Sequence, residues 1–269
     1  MKRLLSVFLS LILLFSLGTA ASGAGLPLRK GAVAIATTAR EGIELCKSMR
    51  DDIPVLMYHQ IGDEENGLYL AEEHFRQHLE YFKEQGYTTV TVSQLYSHWE
   101  KGEPLPEKCV ALTFDDGYRS MYEVVFPMLQ EYGFTATFYV IPAAFWSPWS
   151  VDEDMVKEMA EAGMEIGSHT YNHNQLDILS EKDVYFELRE SKKALEAIVG
   201  KEVQSLCYPA GQYTEFTVKA AEECGYTNAV TTAYGYASKD QGLFDLERIR
   251  IGRGDDGVIL DLKLGGKLK

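Results

Sequence analysis

Basic residues are scarce in this chain. Its 269 residues carry 26 Lys and Arg against 40 Asp and Glu, a formal net charge of −14. Such a surface offers no basic patch, which excludes nucleic acid and an anionic membrane as partners. It suits a neutral substrate, or one that becomes cationic as it is processed. Long apolar runs are also lacking. The run at residues 4–17 is shorter than the ~20 residues that a membrane-spanning helix needs. Lys2 and Arg3 precede it, and small residues up to Gly25 follow, with Ser22-Gly23-Ala24 as a cleavage site. Residues 1–24 therefore read as a secretory signal peptide, and the chain is expected to be exported to the periplasm, the cell surface or the medium. Any membrane contact would come only through this segment left uncleaved. Cysteine is sparse, and Cys46, Cys109, Cys207 and Cys224 match neither a zinc ribbon nor a small disulfide scaffold. Cys109 and Cys207 lie in apolar runs and are expected as small buried hydrophobes. No repeat or low-complexity segment occurs, and no histidine follows His173.

What is present is ordinary globular composition, 46% hydrophobic and 25% charged, which excludes disorder. Residues 25–50 read as a connecting region and 51–269 as one domain. Within it, apolar strand-like runs alternate with helical periodicity. Strands are expected near 53–58, 87–92, 109–114, 134–141, 164–168, 203–208, 227–232 and 246–251. Helices are expected at 73–85, at 93–101 capped by Ser93, at 118–132, at 150–163 with a Ser150/Glu153 capping box, at 180–199 and at 214–224. This alternation predicts an α/β fold of parallel βαβ units, closed or nearly closed into a (β/α) barrel.

Two motifs carry the chemistry. Thr113-Phe114-Asp115-Asp116-Gly117 ends a strand, and Gly117 permits a sharp turn that brings the two carboxylates toward one pocket. In parallel (β/α) architectures the C-terminal strand ends face the active site. His169-Thr170-Tyr171-Asn172-His173 ends another strand. Its imidazoles share a face if the segment makes a helical turn, so that they converge on one ion. Two imidazoles and one carboxylate make a three-ligand set with open positions, while the second Asp remains a free base. His74 and His78 have the same spacing, but they lie inside an amphipathic helix and read as structural. His98 lies in a polar helix and is expected on the surface.

These two motifs, in this order, resemble those of the NodB-like polysaccharide deacetylases, carbohydrate esterase family four, over residues 53–250. The resemblance implies a distorted (β/α)7 barrel and removal of acetyl groups from chitin oligomers, peptidoglycan, poly-N-acetylglucosamine or xylan. It implies Asp115 as catalytic base, with Asp116, His169 and His173 as ligands of one divalent metal, zinc first, with cobalt, nickel or iron as alternatives. Leu206-Cys207-Tyr208-Pro209-Ala210-Gly211 resembles the third motif and points to the Ala210 amide for the oxyanion hole and to Tyr208 and Pro209 for the substrate. Many members carry an arginine where Cys207 stands, and that arginine orients the base. Arg248 or Arg250 is the candidate replacement, and Arg248 is also a candidate for contacting the substrate.

The late histidine of the family is absent. His59, at the end of the first strand in Leu56-Met57-Tyr58-His59-Gln60, matches the early Tyr-His of the subgroup resembling poly-β-1,6-N-acetylglucosamine deacetylases. It is therefore expected as the general acid, with an ordinary pKa of about 6.5 that suits the task. Trp146 and Trp149 follow a strand end and are expected to stack on sugar faces. The reaction expected is removal of N-acetyl groups from an N-acetylglucosamine-containing polysaccharide. The alternatives are a non-catalytic wall-binding protein and an O-acetyl xylan esterase.

Overall fold

A computed structural model describes residues 52–266. The signal segment, the connecting region and Cys46 lie outside the described residues. Strand β1 (Val55–Tyr58) is followed by the short parallel pair β2 (Gln60–Ile61) and β3 (Tyr69–Leu70), then by helix α1 (Glu72–Glu84). The chain continues through β4 (Thr88–Val90), α2 (Val92–Lys101), β5 (Cys109–Phe114) and α3 (Phe126–Tyr132). Next come β6 (Thr137–Val140), α4 (Glu153–Glu161), β7 (Glu165–Ser168), α5 (Glu181–Val199) and β8 (Ser205–Cys207). It ends with α6 (Glu215–Glu223), β9 (Asn228–Tyr234), β10 (Leu246–Arg250) and α7 (Gly257–Lys263).

Seven parallel strands close a ring in the order β1-β10-β9-β8-β7-β6-β5 and back to β1. The ring is uneven where β5 is shared. Its first half pairs with β4, from Thr88↔Cys109 to Val90↔Ala111, and its second half with β1, from Val55↔Ala111 to Tyr58↔Phe114. The distorted (β/α)7 barrel implied by the motifs is thus the observed fold.

The strands are buried on both faces, which is why their sequences run apolar rather than alternating with polar residues. Neighbouring side chains still divide between two layers. Leu56, Leu112, Phe138, Ile166 and Ile249 join the main cluster beneath the helices. Val55, Ala111, Tyr139, Cys207, Val230 and Leu246 form a second cluster with Val92, Leu95 and Trp99 of α2. Helix α2 thereby plugs the end of the barrel opposite the strand C-termini. A Cβ on Gly167 would lie 2.5 Å from Tyr139 Cε1, so β7 must be bare at this point for the Tyr139 ring to fit.

Local chemistry moved several boundaries. Thr91, not Ser93, caps α2, in a capping box with Gln94, because the Ser93 hydroxyl donates to Glu165 instead. Asp152, not Ser150, caps α4. The expected helix at 118–132 begins as a wider π turn at Met121–Val125. Pro127 has no N–H and its ring crowds the carbonyl four residues back, and the wider turn relieves this. Helix α7 was not foreseen. It is capped by Asp256, which accepts from the amides of Val258 and Ile259 at 2.9 Å. It packs near α1, where the Tyr81 hydroxyl donates to Asp261 at 2.7 Å. His78 is fully buried, 3.0 Å from the Tyr58 hydroxyl and 2.8 Å from the Asp255 carbonyl, as a structural reading requires. His98 is half-buried rather than on the surface, with Nδ1 2.7 Å from the Glu103 carbonyl.

Candidate active site

The four described non-glycine residues with left-handed backbone are Asp116 (φ 78°), Thr170 (φ 62°), His173 (φ 63°) and Ala210 (φ 55°). All four belong to the three motifs read from the sequence. Such conformations cost ~1–3 kcal/mol each and persist where surrounding contacts over-determine them, commonly at functional sites. Asp116 leaves the end of β5 with this φ and Gly117 follows at φ 67°, so the sharp turn begins one residue before the glycine. The chain turns there, and successive carboxylates that a straight strand would send to opposite faces both come near His169 and His59.

Asp116 Oδ1 lies 3.2 Å from Nε2 of His169 and 3.2 Å from Nε2 of His173. The histidine segment is not the helical turn expected. It is an irregular loop in which Thr170 and His173 take left-handed φ, and that backbone turns the two rings together, 4.7 Å between centroids. His169 Nδ1 is 2.8 Å from the Cys207 carbonyl, so Nδ1–H donates there and Nε2 is turned toward Asp116. A metal with bonds of ~2.1 Å sets its ligand atoms ~3.0–3.4 Å apart, so the three side chains fit a divalent cation. The charges of this cluster compensate one another. Burial would raise the Asp116 carboxyl, but hydrogen bonds with His169 and His173 hold it well below the carboxylate range. Burial would lower the His169 imidazole, but Cys207, Asp116 and Asp115 together hold it well above the usual value.

Asp115, Cys207 and His169 also bring three ligand atoms within 4.8 Å of one another. This second grouping is a poor cation site, because Arg248 already occupies it with a positive charge. Arg248 is fully buried. Its Nη1 donates to Asp115 Oδ1 at 2.8 Å and Nη2 to Oδ2 at 2.7 Å, while Nε donates to the Thr231 carbonyl at 2.8 Å. Burial would raise the Asp115 carboxyl, but the guanidinium outweighs it and holds the group below its ordinary value. Arg248 therefore takes the place of the arginine missing at Cys207. Its assignment to substrate contact is corrected, since no part of it reaches the surface. Cys207 is buried as expected, but not as a passive hydrophobe: its thiol faces Asp115 Oδ2 at 3.5 Å and Arg248 Nη2 at 3.4 Å.

His59 follows β1, whose Tyr58 is in register with Phe114, so it emerges on the same rim as Asp115. Its Nδ1 is buried and has no hydrogen-bond partner among the described residues. Burial pushes the imidazole down, Asp115 and Asp116 push it back up, and Arg248 and Arg250 add to the lowering, so its net value lies below the ordinary one. Ala210 is exposed, and its left-handed backbone forms a turn beside the site. Tyr208 and Pro209 do not face a substrate. Both are buried, and the Tyr208 ring stacks on Tyr213 at 4.6 Å within the main core cluster. Trp146 and Trp149 are 86% and 78% exposed, and the backbone of Trp149 is held beside the Asp116 turn by a bond from the Arg119 amide, 2.8 Å.

Two contributors had no sequence signal of their own. The Tyr118 hydroxyl lies close to Asp116, and burial together with that carboxylate raises its pKa. Glu187 of α5, buried at 2% exposure, accepts bonds from Asn172 and Asn174 in the histidine loop. Tyr118 follows the Asp-Asp-Gly motif directly, and that proximity could have flagged it. Glu187 falls at a buried position of a helix of otherwise ordinary pattern, and only the fold reveals its role.

A closed barrel of seven parallel strands, with these motifs at its C-terminal rim, defines a class. The chain belongs to the polysaccharide deacetylase family, whose profile matches residues 102–229. YxkH of Bacillus subtilis, a polysaccharide deacetylase by name, is 37% identical over 205 residues, covering 76% of this chain and 73% of its own length. The poly-β-1,6-N-acetyl-D-glucosamine N-deacetylase of Escherichia coli is 30% identical over 138 residues, 44% of this chain and 20% of that protein. The structure of the Streptococcus pyogenes deacetylase PplD in complex with acetate is similar with a TM-score of 0.76 at 31% identity. That match covers 79% of this chain and 97% of PplD.

Proposed function

We propose that this chain hydrolyses N-acetyl groups from an N-acetylglucosamine-containing polysaccharide, releasing acetate, with a divalent cation held by Asp116, His169 and His173. The observation that carries the reading is the convergence of both Nε2 atoms on one Asp116 oxygen at 3.2 Å, beside a second carboxylate kept anionic by Arg248. Zinc is the first candidate, since a set of two imidazoles and one carboxylate suits it, although cobalt, nickel and iron accept the same donors.

A cation so held would supply Lewis acidity toward the amide carbonyl and lower the pKa of water. Asp115 removes a proton from the attacking water. Its two oxygens are fixed by the Arg248 fork, so the base has one orientation and stays ionised in a buried setting. The Ala210 amide donates to the oxygen on which negative charge develops. His59 delivers a proton to the departing sugar nitrogen; burial holds its pKa below the ordinary value despite Asp115 and Asp116, which makes the protonated imidazole a stronger acid. Trp146 and Trp149 offer exposed ring faces on which sugar units stack. A non-catalytic wall-binding role is disfavoured, because Arg248 restores the orienting cation that the Cys207 position lacks. The acidic surface fits a polymer that gains free amines, and the early Tyr-His supports a poly-β-1,6-linked substrate. Action outside the cytoplasm is part of the proposal and would be checked by fractionating cells that express the full chain.

The test measures acetate release from N-acetylglucosamine oligomers and from acetylated xylan, before and after chelation. Asp116→Ala and His173→Ala should lose bound metal and turnover together. Full activity in either variant would refute the metal assignment, and release from xylan alone would move the enzyme to the O-acetyl esterases.

A further inference from the structure

The two histidines are held in different ways. His169 is buried and anchored through Nδ1 to the Cys207 carbonyl at 2.8 Å. His173 has a side chain 43% exposed and a left-handed backbone, and among the described residues its second ring nitrogen has no hydrogen-bond partner. Apart from Nε2 on Asp116 and the edge contact with the His169 ring, nothing on its own ring sets its direction, so its position depends on the backbone that carries it.

That backbone is held by one carboxylate. Glu187 of α5 is 2% exposed, and among the described residues it forms no ion pair with Lys, Arg or His. Its Oε2 accepts from the Asn172 amide at 2.8 Å. Its Oε1 accepts from Asn172 Nδ2 at 2.9 Å and Asn174 Nδ2 at 2.7 Å. The three donors lie on the residues immediately before and after His173. Charge-assisted bonds of this kind are short and directional, and a buried anion with no cation beside it is tolerated only because all its partners are in place.

We propose that Glu187 is the positioning residue of the site. It clamps residues 172–174 from helix α5 and thereby presents the His173 imidazole to the cation, doing for the exposed ligand what the Cys207 carbonyl does for the buried one. This rests on the reading of Asp116, His169 and His173 as a metal set. Outer partners of ligating groups typically carry 10–100-fold in metal affinity.

The experiment titrates the chelated full-length chain with Zn²⁺ by calorimetry, alongside melting of the metal-free protein. Glu187→Gln keeps the shape but can present only one acceptor oxygen to three donors. Its Zn²⁺ dissociation constant should rise at least ten-fold, while the metal-free chain still melts cooperatively and Glu187→Asp recovers part of the affinity. Asn174→Ala, which leaves Glu187 and the Asn172 contacts intact, should weaken binding by a smaller factor and serves as the test if Glu187→Gln does not fold. Wild-type affinity in whichever of these folds would overturn the clamp. Absence of Zn²⁺ binding by the wild-type chain would instead sink the metal reading on which it stands.

Discussion

At the residue scale the site depends on one buried ion pair. Arg248 and Asp115 are both out of water, and their mutual attraction compensates the desolvation only because the fork is bidentate and the Thr113 and Thr231 oxygens satisfy the rest of the guanidinium. Removing one partner leaves the other charge stranded. Arg248→Met should therefore destabilise the fold by ~3–5 kcal/mol. It should also lower kcat by at least ~10²-fold, since the base loses both its orientation and its charge. Melting curves and acetate release check the two effects separately. A variant with normal kcat would show that Cys207 suffices to orient Asp115.

At the scale of elements, β7 and β6 meet inside the barrel where Gly167 makes room for Tyr139. Gly167→Ala would press a methyl group into that ring and approach the Ser205 carbonyl at 3.1 Å. Overpacking of this kind costs ~1–3 kcal/mol. At ~2–4 °C per kcal/mol for a domain of this size, the melting point should fall by several degrees. Tyr139→Leu in the same chain should restore part of the loss, and an unchanged melting point in Gly167→Ala would contradict the packing.

The contact between α1 and the segment before α7 makes a pH-dependent contribution. Burial lowers the His78 imidazole to about 4, against its ordinary 6.5. As pH falls below ~6.5 the unfolded chain takes up the proton first, so stability is full above that value and is lost progressively down to about pH 4. The difference corresponds to ~3 kcal/mol. Denaturant melts of His78→Phe should start lower at pH 7, for want of the Tyr58 and Asp255 contacts, yet show a shallower decline between pH 6.5 and 4. Equal slopes in the two proteins would rule His78 out as the source.

At the scale of the whole molecule, the proposed cation joins the ends of β5 and β7, so binding and folding are linked. A ligand that binds only the native state adds ~2.7 kcal/mol at a concentration one hundred times its dissociation constant. Zn²⁺ should accordingly raise the melting temperature of the chelated chain and leave that of Asp116→Ala unchanged. An equal rise in the variant would place the ion elsewhere.

The strand–helix alternation and the strand-end positions of Asp115, Asp116, His169 and His173 were legible in the sequence, because hydrophobic periodicity and turn chemistry are local properties. The barrel's closure was suggested by the same alternation, and the count of seven strands by family resemblance. Helix α7 was missed, since its short pattern becomes a helix only with the Asp256 cap and the face of α1 to pack on.

The site divides along the same line. The motifs named the three side chains that converge, but the backbone that joins the two histidines was misread as a helical turn; it is a loop held by a glutamate from the following helix. A choice between Arg248 and Arg250 lay open in the sequence. Depth along the strand decided it: the two residues share a face of β10, but residue 248 lies within the barrel beside Asp115, whereas residue 250 ends the strand exposed. Tyr208 and Pro209 carry a motif's signature, yet they serve the core. Chemistry that depends on which residue types recur at a strand end could be read from the chain itself. Chemistry that depends on contacts between distant positions, such as Arg248 with Asp115 or Glu187 with Asn172, existed only once the fold had brought them within hydrogen-bond reach.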